Sequence, residues 1–292
     1  MNPSVSVIIP VYNGEKFIGQ TIYSVLKQNY PNLEYIIIDD GSTDKTEEII
    51  SCRFRGYPLK YIKQSNMGEQ LSVNKGLMMA QGNYIMVVNA DDPLLPNAIS
   101  TLVNVMESKL NLIAAYPNWA SINEDGSYRS KQNNGDYNYY KMVVYHKCLP
   151  SVGTIVRREW AVSHNIYRNP EYKYIGDYDY WLRLGLYGNI FHVPKQLAMW
   201  RHSTNQMTSK RKAFADEHIK VISNLYSNHA DDLPNNIKSA KNKALFWANL
   251  VAFYLSRKPY YIGDAIGCSW QEIVKPVTYY QILRHGSYIL SR

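Results

Sequence analysis

Two pairs of adjacent carboxylates are the residues of this sequence best suited to catalysis or metal binding. Asp39-Asp40 and Asp91-Asp92 each follow a short apolar run. Such a run, bounded by turn residues, is typical of a buried parallel strand, and open α/β sheets bind ligands at the carboxyl ends of their strands. Two acid pairs at that edge would repel each other and any phosphate unless a divalent cation lay between them. The pattern predicts a metal-dependent enzyme that handles a nucleotide diphosphate.

Alternating strands and helices position both acid pairs. Apolar runs predict strands at residues 5–9, 35–38, 59–62, 84–90 and 112–116, with helical stretches between them. This alternation is typical of a mostly parallel sheet with helices on both faces. We therefore predict an α/β fold.

The regular alternation of strands and helices ends after residue 117. Asp125-Gly126 predicts a hairpin turn, residues 179–187 predict a helix, and residues 190–193 and 197–200 predict two short strands. From about residue 210 the pattern is helical with breaks at prolines. The one domain boundary that we predict lies within residues 205–212.

Composition limits the function classes. Of 292 residues, 46% are hydrophobic, and 32 Lys and Arg against 24 Asp and Glu give a net charge of +8. A basic excess suits nucleic acid, an anionic membrane surface or a phosphorylated substrate, and an ordinary basic surface explains it as well. No nucleic-acid-binding motif accompanies the charge, so nucleic acid is not an expected partner. Three scattered cysteines without a CxxC pair favour a reducing compartment and argue against a zinc site.

Neither a secretory signal nor a membrane span is predicted. The N-terminus lacks a charged region followed by an apolar core. The longest apolar stretch near the C-terminus, residues 244–255, is shorter than the roughly 20 helical residues that span a bilayer. We therefore expect a cytoplasmic protein, either soluble or peripheral on the inner face of the plasma membrane.

Six motifs follow one another in the order and spacing of a known family. They are VSVIIPVYN (residues 5–13), IDDGSTD (38–44), GNYI (82–85), NADD (89–92), GDYDYWLR (176–183) and WRH (200–202). Together they resemble the bacterial-type family 2 glycosyltransferases, over roughly residues 4–206. The resemblance implies the GT-A fold, a Rossmann-like sheet flanked by helices, to which this chain adds a C-terminal helical appendage.

The resemblance implies a nucleotide site at the first two strands. In the family, the second acid of the DDGS-type motif accepts a hydrogen bond from the ring NH of the base, and this acid corresponds to Asp40. The backbone of Pro10, Val11 and Tyr12 contacts the base. Asp39 either belongs to the same site or caps the following loop.

The resemblance also implies a metal site. Residues 89–92 stand at the place of the family's DxD signature, with Asn89 at the first acid. Carboxylate oxygens suit Mn²⁺ or Mg²⁺, which binds the diphosphate and offsets the charge of the departing nucleoside diphosphate. Asp92 is assigned to the metal and Asp91 to the metal or the ribose; a helix cap is the alternative.

Further residues are predicted to contact the diphosphate of the donor or its metal ion. His202 stands where the family places a metal- or diphosphate-contacting histidine, and Arg201 is predicted to contact phosphate; ordinary surface residues are the alternative. Asn66 and Gly68 belong to a loop that resembles the family's Asn-x-Gly loop, whose backbone N–H groups can face the diphosphate.

Asp177 is the predicted catalytic base. The family usually writes Glu-Asp at this place, and here Gly176 replaces the Glu. Inverting transfer needs a base within hydrogen-bond reach of the acceptor hydroxyl. A helix N-cap is the alternative role for Asp177.

The sequence is thus predicted to encode an inverting glycosyltransferase. We predict three parts, a nucleotide-binding half at residues 1–116 and an acceptor half at 117–209, which form one GT-A domain over 1–209, and a helical region at 210–292. The donor would be a nucleotide sugar, most simply a UDP-sugar, and the acceptor a hydroxyl of a glycan or a lipid-linked oligosaccharide in polysaccharide or cell-envelope synthesis. The basic, aromatic C-terminal helices are explained by a solvated cap or by a face on a membrane surface. The rivals are a non-catalytic sugar-nucleotide-binding or scaffold protein and a sugar nucleotidyltransferase.

Overall fold

The computed structural model describes residues 2–147, 150–203 and 211–272. The chain divides into two compact units, residues 1–137 with 149–204, and residues 138–148 with 205–292. Residues 138–148, which the sequence analysis placed in the first domain, therefore cluster with the helical region.

An eight-stranded sheet forms the centre of the first unit. Its strands are β1 (Val5–Val11), β2 (Leu33–Asp39), β3 (Leu59–Lys63), β4 (Tyr84–Val87), β5 (Leu112–Ile122), β6 (Tyr128–Gln132), β7 (Ile155–Arg157) and β8 (Asn189–Arg201). Their order is β3-β2-β1-β4-β7-β5-β6, and β8 pairs with β5. β1 to β4 are parallel, as are β5 and β8, whereas β6 and β7 run antiparallel to their neighbours. The predicted α/β fold with a mostly parallel sheet is confirmed.

Helices cover both faces of this sheet. The described helices of the first unit are α1 (Ile18–Leu26), α2 (Thr46–Arg53), α3 (Glu69–Met79), α4 (Ala98–Ser108), α6 (Arg158–Ser163) and α7 (Gly176–Leu184), while α5 (Tyr139–Tyr145) belongs to the second unit. Successive β1 residues point to opposite faces, so that Ile9 packs in one cluster with Ile22 of α1, and Ile8 in another with Val73 of α3. Burial on both faces explains why the strand is apolar at every position except Ser6.

The structure defines where β4 ends and how β5 connects to β6. β4 ends at Val87, so residues 89–92 form a turn beyond the strand instead of its last residues. The predicted hairpin between β5 and β6 is present, with the Gly126 N–H donating to the Asn123 carbonyl at 3.0 Å. Gly126 has φ +87°, a left-handed conformation that glycine adopts without strain.

β8 is one long strand where we predicted two short ones. Pro117 of β5 pairs with Val193 and the next residue, Asn118, pairs with Gln196, so residues 194 and 195 bulge out of the ladder. A proline cannot donate to the ladder, and Pro194 is accommodated by a bulge that does not end the strand. The uninterrupted strand carries residues 200–202 to the carboxyl edge.

The second unit is a helical cluster around Trp247. Its helices beyond α5 are α8 (Arg211–Asn228), α9 (Asn235–Lys238), α10 (Lys241–Ser256) and α11 (Tyr260–Ser269). Trp247 is buried, the ring of Tyr145 meets it edge-on at 5.5 Å between centroids, and Lys243 lies over the Tyr145 ring at 5.0 Å. None of the described helices is long and apolar enough to cross a membrane.

His218 of α8 is predicted to make this unit acid-sensitive. The ring Nδ1 is enclosed, the ring lies 5.5 Å from that of His146, and burial lowers the pKa of His218 to about 4. The folded state keeps the ring neutral, whereas the unfolded state takes up a proton below its pKa of about 6.5. The free energy of unfolding therefore keeps its full value above pH 6.5 and decreases as the pH falls towards 4. We expect α8 and α10 to lose about 1 to 2 kcal/mol between pH 7.5 and 5, measured by hydrogen exchange with intrinsic rates corrected. His218→Gln should flatten this dependence while His229→Gln keeps it; an unchanged slope in His218→Gln would contradict the assignment.

Candidate functional site

The predicted base-binding residues lie side by side where β1 and β2 end. Val11 is in register with Asp39, and the Asp40 N–H donates to the Val11 carbonyl at 2.8 Å. β1 extends through Pro10 and Val11, two residues beyond the strand predicted at 5–9, and Tyr12 follows with its side chain 54% exposed. An exposed aromatic ring and a hydrogen-bond acceptor thus follow the ends of two neighbouring strands at the same edge of the sheet.

The Asp40 carboxylate holds the loop that precedes α3. It is buried and accepts hydrogen bonds from the N–H groups of Met67 and Gly68, each at 2.8 Å, and from Gln64 Nε2 at 2.9 Å. The Gly68 N–H is thereby committed to Asp40, so the predicted diphosphate contact does not fit Gly68; for Asn66 it stays a prediction. Asp40 Oδ2 takes one of the three bonds and retains a lone pair for a further donor.

Asp39 is the more enclosed of the first pair. It is fully buried, and it accepts hydrogen bonds from the Ser42 N–H at 2.8 Å and the Tyr61 hydroxyl at 2.6 Å. Burial, followed by this hydrogen bond, raises the pKa of Tyr61, so the phenol stays a donor. This geometry favours the loop-capping alternative for Asp39.

The two acids of the second pair differ in their surroundings. Asp92 is 3% exposed; its Oδ1 accepts from the Arg201 N–H and its Oδ2 from Asn89 Nδ2, both at 2.9 Å. Burial and then the charge of Asp91 raise the pKa of Asp92 well above its usual range. Asp91 is only half-buried. Asn89, the departure from the family's DxD pattern, therefore serves as a donor that Asp could not supply.

Arg201 is a buried structural clamp. At 1% exposure, its Nε donates to the Asp91 carbonyl at 3.0 Å and its Nη2 to Gln20 Oε1 at 2.5 Å. Its Nη1 donates to the carbonyls of Asn123 and Glu124 at 3.2 and 3.0 Å. The predicted phosphate contact does not fit a guanidinium whose donors are committed in this way; Arg201 instead ties β8 to the turn after β4, the β5–β6 hairpin and α1.

Arg201→Met is expected to lower the free energy of unfolding by about 3 to 5 kcal/mol, because it removes the four side-chain hydrogen bonds that the buried guanidinium donates to part-buried acceptors. Urea unfolding measures the loss. The matched control is Arg129→Met on the exposed β6, which should change stability by less than about 0.5 kcal/mol. Equal effects of the two substitutions would disprove the clamp.

His202 directly follows β8, and its N–H donates to the Ile122 carbonyl at 2.9 Å. The half-buried ring packs against Trp200 at 4.2 Å between centroids. Partial burial, and then the charge of Arg129, lower the pKa of His202. The neutral imidazole that results is the form that binds metal ions.

The residues present fit a weakly held divalent cation. Among the described residues no group of three or more His, Cys, Asp or Glu side chains could hold a metal by itself. Mg²⁺ and similar cations commonly use one or two protein carboxylates and take their other ligands from substrate phosphates and water. The half-buried Asp91 and the neutral His202 suit such a site.

Asp177 is an exposed residue near the start of α7. It lies in the first turn, and its Oδ1 accepts from the Tyr178 N–H at 2.8 Å. The helix begins at Gly176 with Ile175 as its N-cap, so Asp177 is not the N-cap that the alternative role required. Asp179, by contrast, is buried and forms an ion pair with Arg183 at 2.6 Å, which gives it a structural role.

Glu69, the first residue of α3, is a site residue that the sequence analysis missed. Desolvation raises the pKa of Glu69, Arg168 lowers it, and the charges of Asp177 and Asp91 raise it further. The carboxylates of Asp177 and Asp91 and the guanidinium of Arg168 are therefore within electrostatic range of Glu69. Its position directly after the loop at residues 66–68 was the available signal.

Comparison with known proteins identifies the relatives of this chain. The profile of the family described as glycosyl transferase family 2 matches residues 6–169. An uncharacterised glycosyltransferase of Haemophilus influenzae is 31% identical over 237 residues, which cover 75% of this chain and 72% of that protein. Chondroitin synthase of Escherichia coli is 29% identical over 223 residues, 75% of this chain but only 32% of the synthase.

Solved structures share the fold. S. aureus TarS 1–349 in complex with UDP has a TM-score of 0.69 and 21% identity, over 95% of this chain and 86% of that one. The mannosyltransferase PcManGT from Pyrobaculum calidifontis, in complex with GDP-Man and Mn²⁺, has a TM-score of 0.64 and 14% identity, over 100% of this chain and 81% of that one.

Proposed function

This chain is a glycosyltransferase and belongs to glycosyl transferase family 2, and we propose that it transfers a sugar with inversion from a nucleotide-diphosphate donor to an acceptor hydroxyl. The observation that carries this proposal is that two acid pairs lie at the carboxyl edge of the sheet, with Asp40 bonded through its N–H to the end of β1 and Asp92 bonded to the N–H of Arg201 in β8. The nucleotides in the TarS and PcManGT structures support a nucleotide-sugar donor. We propose a UDP-sugar.

The base would lie against the ends of β1 and β2. Asp40 Oδ2 would accept the hydrogen bond from the ring NH, and Tyr12 with the backbone of Pro10 and Val11 would form the wall beside it. The exposure of Tyr12 and the lone pair left on Asp40 support this placement. Asp39 would hold the loop that follows Asp40 through the Ser42 N–H.

The divalent cation, Mn²⁺ or Mg²⁺, would be held by Asp91 and His202 together with the donor diphosphate. When bound, it offsets negative charge on the departing nucleoside diphosphate. Asp92 would keep the turn in shape through Asn89 and Arg201; it would become a ligand, as the sequence predicted, only by exchanging one of these bonds.

Asp177 would act as the general base. As the acceptor oxygen attacks the anomeric carbon, its proton passes to the Asp177 carboxylate, and the bond to the diphosphate oxygen breaks on the opposite face. One displacement of this kind inverts the configuration. The exposed position of Asp177, with only Oδ1 engaged by Tyr178, supports the role.

We propose that the acceptor is a glycan or lipid-linked hydroxyl, used in polysaccharide or cell-envelope synthesis, and that the enzyme works in the cytoplasm at the inner membrane surface. α11 exposes Tyr260, Ile262 and Ile266, and the preceding Arg257 and Lys258 are exposed cations. Apolar side chains beside cations suit an anionic lipid surface.

The test is a panel of UDP-, GDP- and dTDP-sugars with Mn²⁺ or Mg²⁺, with release of nucleoside diphosphate as the readout. Metal-dependent release from one donor would support the transferase proposal and identify that donor. No release, together with no metal-dependent nucleotide binding by calorimetry, would overturn it in favour of a scaffold of the same fold. Release of pyrophosphate from a nucleoside triphosphate and a sugar phosphate would indicate a nucleotidyltransferase.

A further inference from the structure

Gln70 of α3 fills the space beside Gly176 of α7. A Cβ atom at position 176 would lie 2.5 Å from both Cδ and Oε1 of Gln70 and 2.8 Å from Nε2. No side chain fits at 176 while the Gln70 carboxamide is in place. The space beside the start of α7 is therefore filled from α3.

The Gln70 carboxamide is buried without being satisfied. The side chain is 7% exposed, and its Oε1 is enclosed by protein with no hydrogen-bond partner among the described residues. Buried polar side-chain atoms nearly always have a partner, and an exception calls for a functional or structural reason. Packing alone would be served better by Leu or Met, which bury no unpaired oxygen.

The neighbours of Gln70 place this amide at the start of α7. Glu69 precedes it on α3 and interacts with Asp177 and Asp91, and Gly176, against which the amide packs, precedes Asp177 in the chain. The carboxamide therefore lies against the residue that precedes the proposed base.

The chemistry of a carboxamide favours a sugar hydroxyl as its ligand. A hydroxyl can donate to Oε1 and accept from Nε2, whereas a phosphate carries only acceptors and would be repelled by Oε1. An amide also adds no charge to a site that already holds Glu69, Asp91 and Asp177. The terminal torsion of glutamine is soft, so a modest turn would present Oε1 to a ligand.

We propose that Gln70 binds the acceptor sugar, with Oε1 accepting a hydrogen bond from a hydroxyl adjacent to the one that Asp177 deprotonates. Gln70 would thus be a specificity residue of the acceptor site, which takes the place of the acidic side chain absent at position 176. This inference rests on the proposed function.

The experiment uses the donor found in the nucleotide-sugar panel and four acceptor probes, the methyl glycosides of glucose, galactose, N-acetylglucosamine and N-acetylgalactosamine. The readout is the ratio of glycoside product to hydrolysed donor. In Gln70→Met this ratio should fall about tenfold for the preferred glycoside, through a higher acceptor KM, as expected for the loss of one hydrogen bond. Gly176→Ala should reproduce the fall, because its Cβ displaces the amide, whereas Gln81→Met at an exposed position should keep the ratio.

Two results would overturn the inference. One is an unchanged ratio in both Gln70→Met and Gly176→Ala, which would make Gln70 a packing residue. The other is a wild-type enzyme that hydrolyses its donor but transfers to none of the glycosides, since an amide that binds hydroxyls should let a sugar compete with water. A wild-type protein that neither hydrolyses nor transfers from any nucleotide sugar would instead contradict the proposed function itself. The two failures are therefore distinguishable.

Discussion

Asp177→Asn is expected to lower kcat for sugar transfer by about a hundredfold to ten-thousandfold, the usual contribution of a positioned general base. The amide keeps the shape of the side chain and an oxygen that can accept from the Tyr178 N–H, so α7 should still begin at the same residue. It cannot take the proton of the acceptor hydroxyl. Donor binding should persist because Asp177 is assigned no contact with the nucleotide; calorimetry with the donor and single-turnover kinetics separate the two effects.

Asp179→Asn provides the matched control on the same helix. It breaks the buried ion pair with Arg183 at 2.6 Å, and we expect it to lower thermal stability while the folded enzyme retains its chemical step. The assignment of the base would have to move, with Glu69 as the next candidate, if Asp177→Asn retained more than about a tenth of wild-type kcat.

The sequence predicted the parts of the fold that depend on local pattern. Continuous apolar runs were sufficient for β1 and β2, because strands buried on both faces cannot alternate polar and apolar residues. The turn at Asp125-Gly126 was predictable for the same local reason, since only certain residues accept its backbone conformation. The end of β4 was not, because Val88 is buried and apolar like the strand residues before it.

The contacts that shape the site join residues far apart in the chain. Arg201 forms hydrogen bonds with Asp92, 109 positions away, and with Gln20, 181 positions away. Its burial therefore could not be predicted from the local Trp-Arg-His motif, whose polar residues are typical of a surface. The pairing of Gln70 with Gly176 is equally invisible, because nothing near Gly176 indicates which side chain fills the space. Motifs therefore identified candidate residues, whereas the hydrogen-bond partners of each acid came only from the fold.

Asp91→Asn is expected to abolish metal-dependent turnover, whereas Asp92→Asn should mainly destabilise the protein. A bound cation contributes several kcal/mol to the departure of the diphosphate, so losing its half-buried carboxylate ligand should reduce kcat/KM at least about a hundredfold and raise the Mn²⁺ concentration needed for half-maximal rate. Asp92 accepts from two donors, the Arg201 N–H and Asn89 Nδ2. An Asn there would turn its own amide hydrogens towards one of them, at a cost of about 1 to 3 kcal/mol in unfolding free energy.

Mn²⁺ titrations of activity, paired with urea unfolding of the same preparations, separate these two roles. Asn89→Ala is the control for the turn, because it removes one donor to Asp92 and leaves both carboxylates in place; it should lose some stability and keep its Mn²⁺ requirement. If Asp92→Asn folds as stably as the wild type but no longer responds to Mn²⁺, while Asp91→Asn still does, the metal belongs to Asp92. The burial of Asp92 and the half-exposure of Asp91 lead us to expect the reverse.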